Sequence, residues 1–244
     1  MPAARTLTID GRLIPFEDGE TVMEAALRAR IYIPHLCYHP DLAPEGNCRL
    51  CTVAVNGGYR AACITPAAAG QVVDNATDEL TGYRRTLLQM LFVEGNHVCP
   101  GCEASGACQL QAVAYYTGML APHFTHFYPR RPVDASHPQV LIDFNRCILC
   151  GLCVRASRDI DGKRLFAIDG RGMGAHLVVN SPTGKLADTD FDVRDKAARV
   201  CPVGAILIKH RGFEVRIGER RYDRQPIDAV GDEAARRARE RTDG

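Results

Sequence analysis

No stretch of this 244-residue sequence approaches the roughly 18 apolar residues that a membrane-spanning helix requires. Residues 1–20 also lack the apolar run of a secretory signal peptide. A dominant charge is missing too: 30 Lys and Arg residues balance 29 Asp and Glu residues, so no global field recruits nucleic acid or an anionic membrane. These absences predict a cytoplasmic protein without a membrane span or a nucleic-acid partner.

The common sequence signs of a substrate site are also missing. There is no Walker motif and no Gly-x-Ser-x-Gly elbow, and no pair of carboxylates stands out. The glycine-rich stretch from Gly170 to Gly174 lacks the strand and helix that flank a dinucleotide-binding fingerprint, so we interpret it as a loop. We therefore predict no catalytic residue in this chain.

Cysteine, in contrast, is abundant. An odd total of 11 and the missing signal peptide argue against a secreted disulfide scaffold and favour metal binding. The cysteines fall into three groups and none lies outside a group. The groups are Cys37, Cys48, Cys51 and Cys63; then Cys99, Cys102 and Cys108; then Cys147, Cys150, Cys153 and Cys201.

The third group has the spacing of a bacterial 4Fe-4S ferredoxin. Cys147, Cys150 and Cys153 are each separated by two residues, and Cys201 directly precedes a proline. A two-cluster ferredoxin would carry another cysteine where Ser157 stands, so one of its two clusters is missing here. The pattern predicts one 4Fe-4S cluster on these four cysteines. A four-thiolate zinc site is the alternative, although zinc sites typically present two separated pairs.

The first group resembles the plant-type 2Fe-2S order, which is C-x4-C-x2-C followed by a distant cysteine. Cys48 and Cys51 form the closely spaced pair, whereas the gap after Cys37 is longer than in the plant type. A predicted hairpin at Asn56-Gly57 brings Cys63 back toward Cys51. We predict a 2Fe-2S cluster on these four cysteines, with zinc again as the alternative.

The second group is one ligand short, because a 4Fe-4S cluster has four corners and only Cys99, Cys102 and Cys108 are present. All other cysteines belong to complete groups. His97 is an available imidazole, and we predict it as the fourth ligand; a cluster with a labile fourth iron stays open. A neutral imidazole in place of an anionic thiolate would raise the reduction potential.

The other histidines are expected to have structural or solvated roles. His35 and His39 flank Cys37 and could donate to sulfur, but we interpret them as surface loop residues. The remaining five are His123, His126, His137, His176 and His210.

Predicted secondary structure places the groups in an α+β chain. Asp10-Gly11 and Asn56-Gly57 predict hairpins, and Thr21 with Glu24 has capping-box spacing before a helix. Residues 78–93 predict an amphipathic helix with Tyr83 on its apolar face and Arg84 largely opposite.

These elements divide the chain into six predicted segments. They are a 2Fe-2S ferredoxin-like β-grasp domain at 1–78, a short helical 4Fe-4S segment with one histidine and three cysteines at 79–120, a linker at 121–138, a bacterial-ferredoxin-like 4Fe-4S domain at 139–210, a partner-wrapping extension at 211–230 and a disordered tail at 231–244.

The three groups in this order resemble the N-terminal iron-sulfur region of the large electron-transfer subunit of respiratory complex I, which iron-only hydrogenases and NAD-dependent formate dehydrogenases share. In that wider family the histidine precedes its cysteine as His-x3-Cys, and that position here is Gly95. The chain is also similar to the small diaphorase subunits of NAD-reducing nickel-iron hydrogenases. The segments that carry this second likeness are IPHLCYHP, GNCRLC, EGNHVCPGCEASGACQLQAV, CPVGAI and GFEVRIGERRYD.

The resemblance implies the electron-transfer subunit of a hydrogen:NAD oxidoreductase. Three clusters would relay electrons between a hydrogenase module and a flavin- and NAD-binding diaphorase subunit, while partner subunits hold FMN, NAD and the nickel-iron centre. The implied partners are that diaphorase subunit and the hydrogenase small subunit, and through it the nickel-iron large subunit. The alternatives are the equivalent subunit of a formate dehydrogenase or complex I-like enzyme, a zinc-stabilised interaction module and, more weakly, a free ferredoxin shuttle.

Overall fold

Residues 5–75 build a five-stranded sheet crossed by one helix. The structure, a computed structural model, describes residues 5–232; residues 1–4 and, of the predicted tail, residues 233–244 lie outside this range. The sheet order is β2-β1-β5-β3-β4, and β1 and β5 run parallel while the other pairs are antiparallel. The strands are β1 (Thr6–Ile9), β2 (Arg12–Pro15), β3 (Thr52–Val55), β4 (Gly58–Ala61) and β5 (Val72–Asp74).

Both predicted hairpins and the capping box are confirmed. Asp10-Gly11 and Asn56-Gly57 all adopt positive φ, which is the backbone that tight two-residue turns between twisted strands require. Helix α1 (Val22–Arg28) begins at Thr21, whose side chain accepts from the Glu24 amide while the Glu24 carboxylate accepts from the Thr21 amide. Its apolar face packs on the sheet and closes the first core.

Two helices follow and lead into and out of the second cysteine group. They are α2 (Asp78–Glu94), at its predicted position, and α3 (Gln109–Tyr116). The prediction for Arg84 was wrong, because its side chain is only 2% exposed, whereas Tyr83 is exposed. Arg84 donates to the backbone carbonyls of Leu50, Thr52 and Asn75 at 3.1, 2.9 and 2.8 Å. These carbonyls lie at the ends of β3 and β5, and a guanidinium with five donors can satisfy several at once.

The third unit contains two small antiparallel sheets. In the first, β6 (Val133–Asp134), β7 (Val140–Asp143) and β10 (Ile206–Ile208) have the order β10-β7-β6; β8 (Phe166–Asp169) and β9 (His176–Val179) form the second. Helix α4 (Leu152–Arg155) continues into a π-helical turn at Ala156–Ile160. The β7–β10 ladder matters for the site, because it joins the chain just before Cys147 to the chain just after Cys201.

The segments around this unit differ in part from their predicted roles. Residues 121–132 of the predicted linker carry neither helix nor strand, but its end forms β6 and buries Asp134 and His137. Helix α5 (Ile227–Val230) packs on α3, and Asp232, predicted to lie in the disordered tail, is buried. No helix within residues 5–232 combines the length and apolar character needed to cross a bilayer.

Candidate metal-cluster sites

The β3–β4 hairpin positions half of the first cysteine group. Cys51 directly precedes β3 and Cys63 follows β4, and the Ala62 amide donates to the Cys51 carbonyl at 3.0 Å. The two sulfur atoms lie 3.4 Å apart. Cys37 reaches the same loop, since the Cys48 amide donates to its sulfur at 3.3 Å. The structure therefore arranges the four cysteines as two close pairs on one loop system.

The loop that carries Cys48 and Cys51 depends on two residues with positive φ. Gly46 has φ +69°, and a Cβ there would lie 2.9 Å from the Ile64 side chain, so only glycine fits without a shift. Arg49 has φ +57° and its carbonyl accepts from the Thr52 amide at 3.1 Å. These two turns shape the loop that carries Cys48 and Cys51.

Sulfur crowding and burial shift the pKa values in this first group. A hydrogen bond with Cys48, together with burial, raises the pKa of Cys37 far above its ordinary value, and the bond to Cys63 does the same for the pKa of Cys51. The bond to Cys37 lowers the pKa of Cys48. A cationic iron centre would displace such protons, so assembly at this site should release protons.

The third cysteine group lines a single cavity. Cys147, Cys150, Cys153 and Cys201 all face it, and the other lining residues are apolar. The cysteine loop can surround the cavity because it turns tightly at Leu149 and Gly151, which adopt φ of +54° and +73°. Burial raises the pKa of Cys147 to about 11. Four thiolate ligands around a cavity with apolar walls suit an iron-sulfur cluster.

The second group also lines one cavity, and His97 is part of its wall. This cavity is faced by His97 and by Cys99, Cys102 and Cys108. The structure thus brings together the three cysteines and the histidine that the sequence predicts as the fourth ligand.

The imidazole of His97 is neutral, and one of its nitrogens is available to bind a metal. Its Nε2 is buried and has no hydrogen-bond partner within residues 5–232. Burial, and after it the positive charge of Arg146, lower the pKa of His97 to about 4, so the imidazole is neutral at physiological pH. An unpaired buried nitrogen is costly unless something binds it, and an iron ion would accept the lone pair of this nitrogen.

The imidazole of His97 occupies the space beside Gly95. A Cβ on Gly95 would lie 2.5 Å from His97 Nε2 and 3.0 Å from the Asn145 carbonyl oxygen. A histidine side chain at position 95, where the His-x3-Cys spacing would put it, would start from that same space. The side chain at 97 therefore folds back over position 95, which gives a spatial reason for the shorter spacing.

The interpretation of His35 and His39 as surface residues was wrong, because both are buried. The Nδ1 atom of His35 lies 2.8 Å from the Ile33 carbonyl, and its Nε2 lies 2.8 Å from the Asp232 carboxylate. Although burial disfavours the charged ring, Asp232 raises the pKa of His35 to about 9. The same carboxylate accepts from Gln109 at 3.1 Å, so the C-terminal segment ties the first and second groups together.

Two arginines of the sites also escaped the sequence analysis. Arg146 directly precedes Cys147, and its guanidinium lies 3.6 Å from the sulfur of Cys102. Arg155 follows Cys153 by two residues and donates to the Cys37 carbonyl at 2.6 Å. Their adjacency to cysteines was the only sequence signal, and it says nothing about the direction in which they point.

Three models of iron-sulfur protein families match consecutive stretches of the chain. Family models match a 2Fe-2S iron-sulfur cluster binding domain at residues 3–78, the NADH-ubiquinone oxidoreductase-G iron-sulfur binding region at 84–123 and a 4Fe-4S single cluster domain at 140–208. The NAD-reducing hydrogenase HoxS subunit gamma of Cupriavidus necator is 38% identical over 224 residues, which are 91% of this chain and 95% of that protein. The chain belongs to the family of this gamma subunit. The predicted resemblance and the α+β class with ferredoxin-like parts are thereby confirmed.

Other relatives agree with membership in the gamma-subunit family. A chain in the crystal structure of an NAD+-reducing [NiFe]-hydrogenase in the H2-reduced state has a TM-score of 0.91 and 53% identity, and the match covers 96% of this chain and 99% of that one. The mitochondrial NADH-ubiquinone oxidoreductase 78 kDa subunit of Candida albicans is 32% identical over 92% of this chain. The match spans only 32% of that longer protein. The chain thus contains a 2Fe-2S domain and 4Fe-4S regions.

Proposed function

We propose that this chain relays single electrons through three iron-sulfur clusters, between a hydrogenase module and a flavin- and NAD-binding diaphorase subunit of a cytoplasmic NAD-reducing hydrogenase. The observation that carries the proposal is the grouping of eleven free cysteines and His97 into three sets of four candidate ligands in a member of the gamma-subunit family. The proposed ligands are Cys37, Cys48, Cys51 and Cys63 for a 2Fe-2S cluster; His97, Cys99, Cys102 and Cys108 for a 4Fe-4S cluster; and Cys147, Cys150, Cys153 and Cys201 for another.

The packing of the chain supports a relay rather than three unrelated sites. One apolar core, which includes Leu36, Leu50, Leu110 and Val203, is bordered by cysteines of all three groups. Those cysteines are Cys48 of the first group, Cys108 of the second, and Cys147 and Cys201 of the third. Because the three sets share one core, a rigid protein interior holds them at fixed mutual distances, which electron transfer requires.

The clusters, once bound, would supply one-electron redox chemistry, and the protein would set the conditions for it. Apolar side chains exclude water around the third group, and the neutral imidazole of His97 lowers the negative charge of the second. No substrate-binding residue is part of the proposal. FMN, NAD and the nickel-iron centre are assigned to partner subunits, with the diaphorase subunit and the hydrogenase small subunit as the proposed neighbours.

Sequence identity favours a hydrogenase over a complex I-like enzyme. The hydrogenase relatives are 38% and 53% identical, whereas the Candida 78 kDa subunit and the NADPH-Fe(3+) oxidoreductase subunit alpha of Geobacter sulfurreducens are each 32% identical. Assays of hydrogen-dependent and formate-dependent NAD reduction by the purified complex would separate a hydrogenase from a formate dehydrogenase. Reduction by formate alone would contradict the hydrogenase assignment.

We expect about ten iron atoms and a comparable amount of acid-labile sulfide per chain after anaerobic purification, because one 2Fe-2S and two 4Fe-4S clusters contain that number. Elemental analysis combined with a sulfide assay measures both. Stoichiometric zinc without sulfide would instead establish a zinc-stabilised interaction module.

Partner contact is proposed for the linker and for the extension at 211–230. Tyr128 in the linker and Ile217 in the extension are 74% and 85% exposed, and large apolar side chains are costly to leave in water. Both segments border the second group: Tyr128 lies in a groove with His97 and Cys99, and Gly212 of the extension packs on Glu103. A partner that covers them would come close to the proposed middle cluster.

Replacing Ile217 with aspartate is expected to reduce co-purification of the partner subunits by about tenfold, since burying a carboxylate in an apolar contact costs more than about 1.4 kcal/mol. The iron content should stay unchanged, because Ile217 lies outside the three sites. Met173→Asp, at a similarly exposed apolar side chain in the loop between β8 and β9, is the matched control. Equal recovery of partners with both variants would contradict the assignment.

A further inference from the structure

Arg146 directly precedes a cysteine of the third group in the sequence, but its side chain contacts a cysteine of the second group. It ends the 3-10 turn at Phe144–Arg146, so its backbone leads directly into Cys147 of the third group. Its Nη1, however, lies 3.6 Å from the sulfur of Cys102 and 3.3 Å from the Gly204 carbonyl oxygen. One residue therefore connects the second and third groups.

The position of the guanidinium is fixed from several sides. Its Nη1 lies 2.5 Å from the Glu103 carboxylate and its Nε 2.9 Å from that of Asp143, and only 19% of the side chain is exposed. Gly204 closes the remaining side, because a Cβ there would lie 2.9 Å from the Cys102 sulfur and 3.5 Å from Arg146 Nη1. The backbone three residues after Cys201 thus packs directly against Cys102 of the second group, and the arginine lies beside this contact.

A donor to a ligand sulfur changes the balance between the oxidised and reduced forms of a cluster. Reduction adds one negative charge, and a cationic hydrogen-bond donor stabilises the more negative form, which raises the reduction potential. Glu103 and Asp143 oppose this effect, but their carboxylates bind the guanidinium rather than the sulfur. The direct hydrogen bond to the sulfur therefore sets the sign.

We propose that Arg146 is a positioning residue that donates to Cys102 and holds the reduction potential of the cluster bound by His97, Cys99, Cys102 and Cys108 above the value that these ligands alone would give. The inference rests on the proposed function, because it requires a cluster at that cavity. It assigns a distinct role to Glu103, whose carboxylate partly cancels the positive charge. Arg146 and Glu103 thus have opposite effects on one potential.

The test is a redox titration of the anaerobically purified complex, followed by electron paramagnetic resonance. The signal that Cys102→Ser alters identifies the cluster concerned. Arg146→Gln is expected to shift its midpoint downward, Arg146→Lys to restore much of the loss because it keeps the charge, and Glu103→Gln to shift the midpoint upward. Arg194→Gln, at an exposed arginine that pairs with nearby Asp192, is expected to shift nothing.

The outcomes separate the inference from the proposed function. A preparation that contains neither iron nor sulfide would refute the proposed function itself. Intact clusters with an unchanged midpoint in both Arg146→Gln and Glu103→Gln would overturn only the role of Arg146. Should Arg146→Gln lose the cluster, Arg146→Lys and Glu103→Gln still decide, because a downward shift or no shift in Glu103→Gln would contradict the inference.

Discussion

Replacing Arg155 with methionine is expected to lower the free energy of unfolding by about 3 kcal/mol, since two hydrogen bonds from a charged, buried donor to backbone carbonyls are lost at about 1.5 kcal/mol or more each. Arg155 is 1% exposed, and it donates to the carbonyls of Cys37 and Ala43 at 2.6 Å each. Those residues belong to the first cysteine loop, whereas Arg155 ends α4 of the third unit. The bonds join two cluster sites, so we also expect loss of the 2Fe-2S signal.

Arg158→Met is the matched control for this prediction. Arg158 lies one turn further along, is about half exposed and pairs with its neighbour Asp159, so its replacement should change stability by about 0.5 kcal/mol or less. Anaerobic urea denaturation with iron analysis measures both effects. If Arg155→Met and Arg158→Met unfold at the same urea concentration and retain the same iron, the proposed link between the sites does not exist.

Local patterns explain why much of the fold was predictable. The turns at Asp10-Gly11 and Asn56-Gly57 need positive φ at adjacent residues, and these residue types accept it almost regardless of context. The capping box of Thr21 is also complete within four residues. Cysteine spacing works in the same way, because consecutive ligands on one loop are restricted by the loop itself.

The residues that escaped prediction have partners far away in the sequence. Arg155 and Cys37 are 118 positions apart, and Asp232 and Gln109 are 123 positions apart. Arg84 is an example. Helical periodicity identifies an apolar face, but it cannot reveal that buried carbonyls at the start of β3 accept hydrogen bonds from this side chain. A charged residue is placed on the surface by default, and only the tertiary structure shows that it is buried.

Two arginines that flank the third cysteine group connect it to the other two groups. Arg146 stands immediately before Cys147 and reaches the second group, while Arg155 stands two residues after Cys153 and reaches the first. The third group is therefore the central one of the three, and its flanking residues hold the first and second groups in position. Changes in its loop should consequently affect all three proposed clusters, not only the local one.

Replacing His97 with alanine is expected to remove about four of about ten iron atoms, because a 4Fe-4S cluster with three cysteines would lose its fourth protein ligand in a partly open cavity. Iron analysis and low-temperature spectra of the purified complex measure the loss. His97→Cys should retain the iron but lower the midpoint potential of this cluster, since an anionic thiolate replaces a neutral imidazole. Unchanged iron and spectra in His97→Ala would remove the histidine from the proposed ligands.

Gly95 provides a second test of the same geometry without touching a proposed ligand. A methyl group on Gly95 would lie 2.5 Å from His97 Nε2, so Gly95→Ala should displace the imidazole and reproduce part of the His97→Ala loss. Gly101→Ala is the matched control within the same loop, because nothing lies within 4 Å of a Cβ there. If iron content falls in the first variant and not in the second, the imidazole at 97 must occupy the place beside position 95 for the site to bind its cluster.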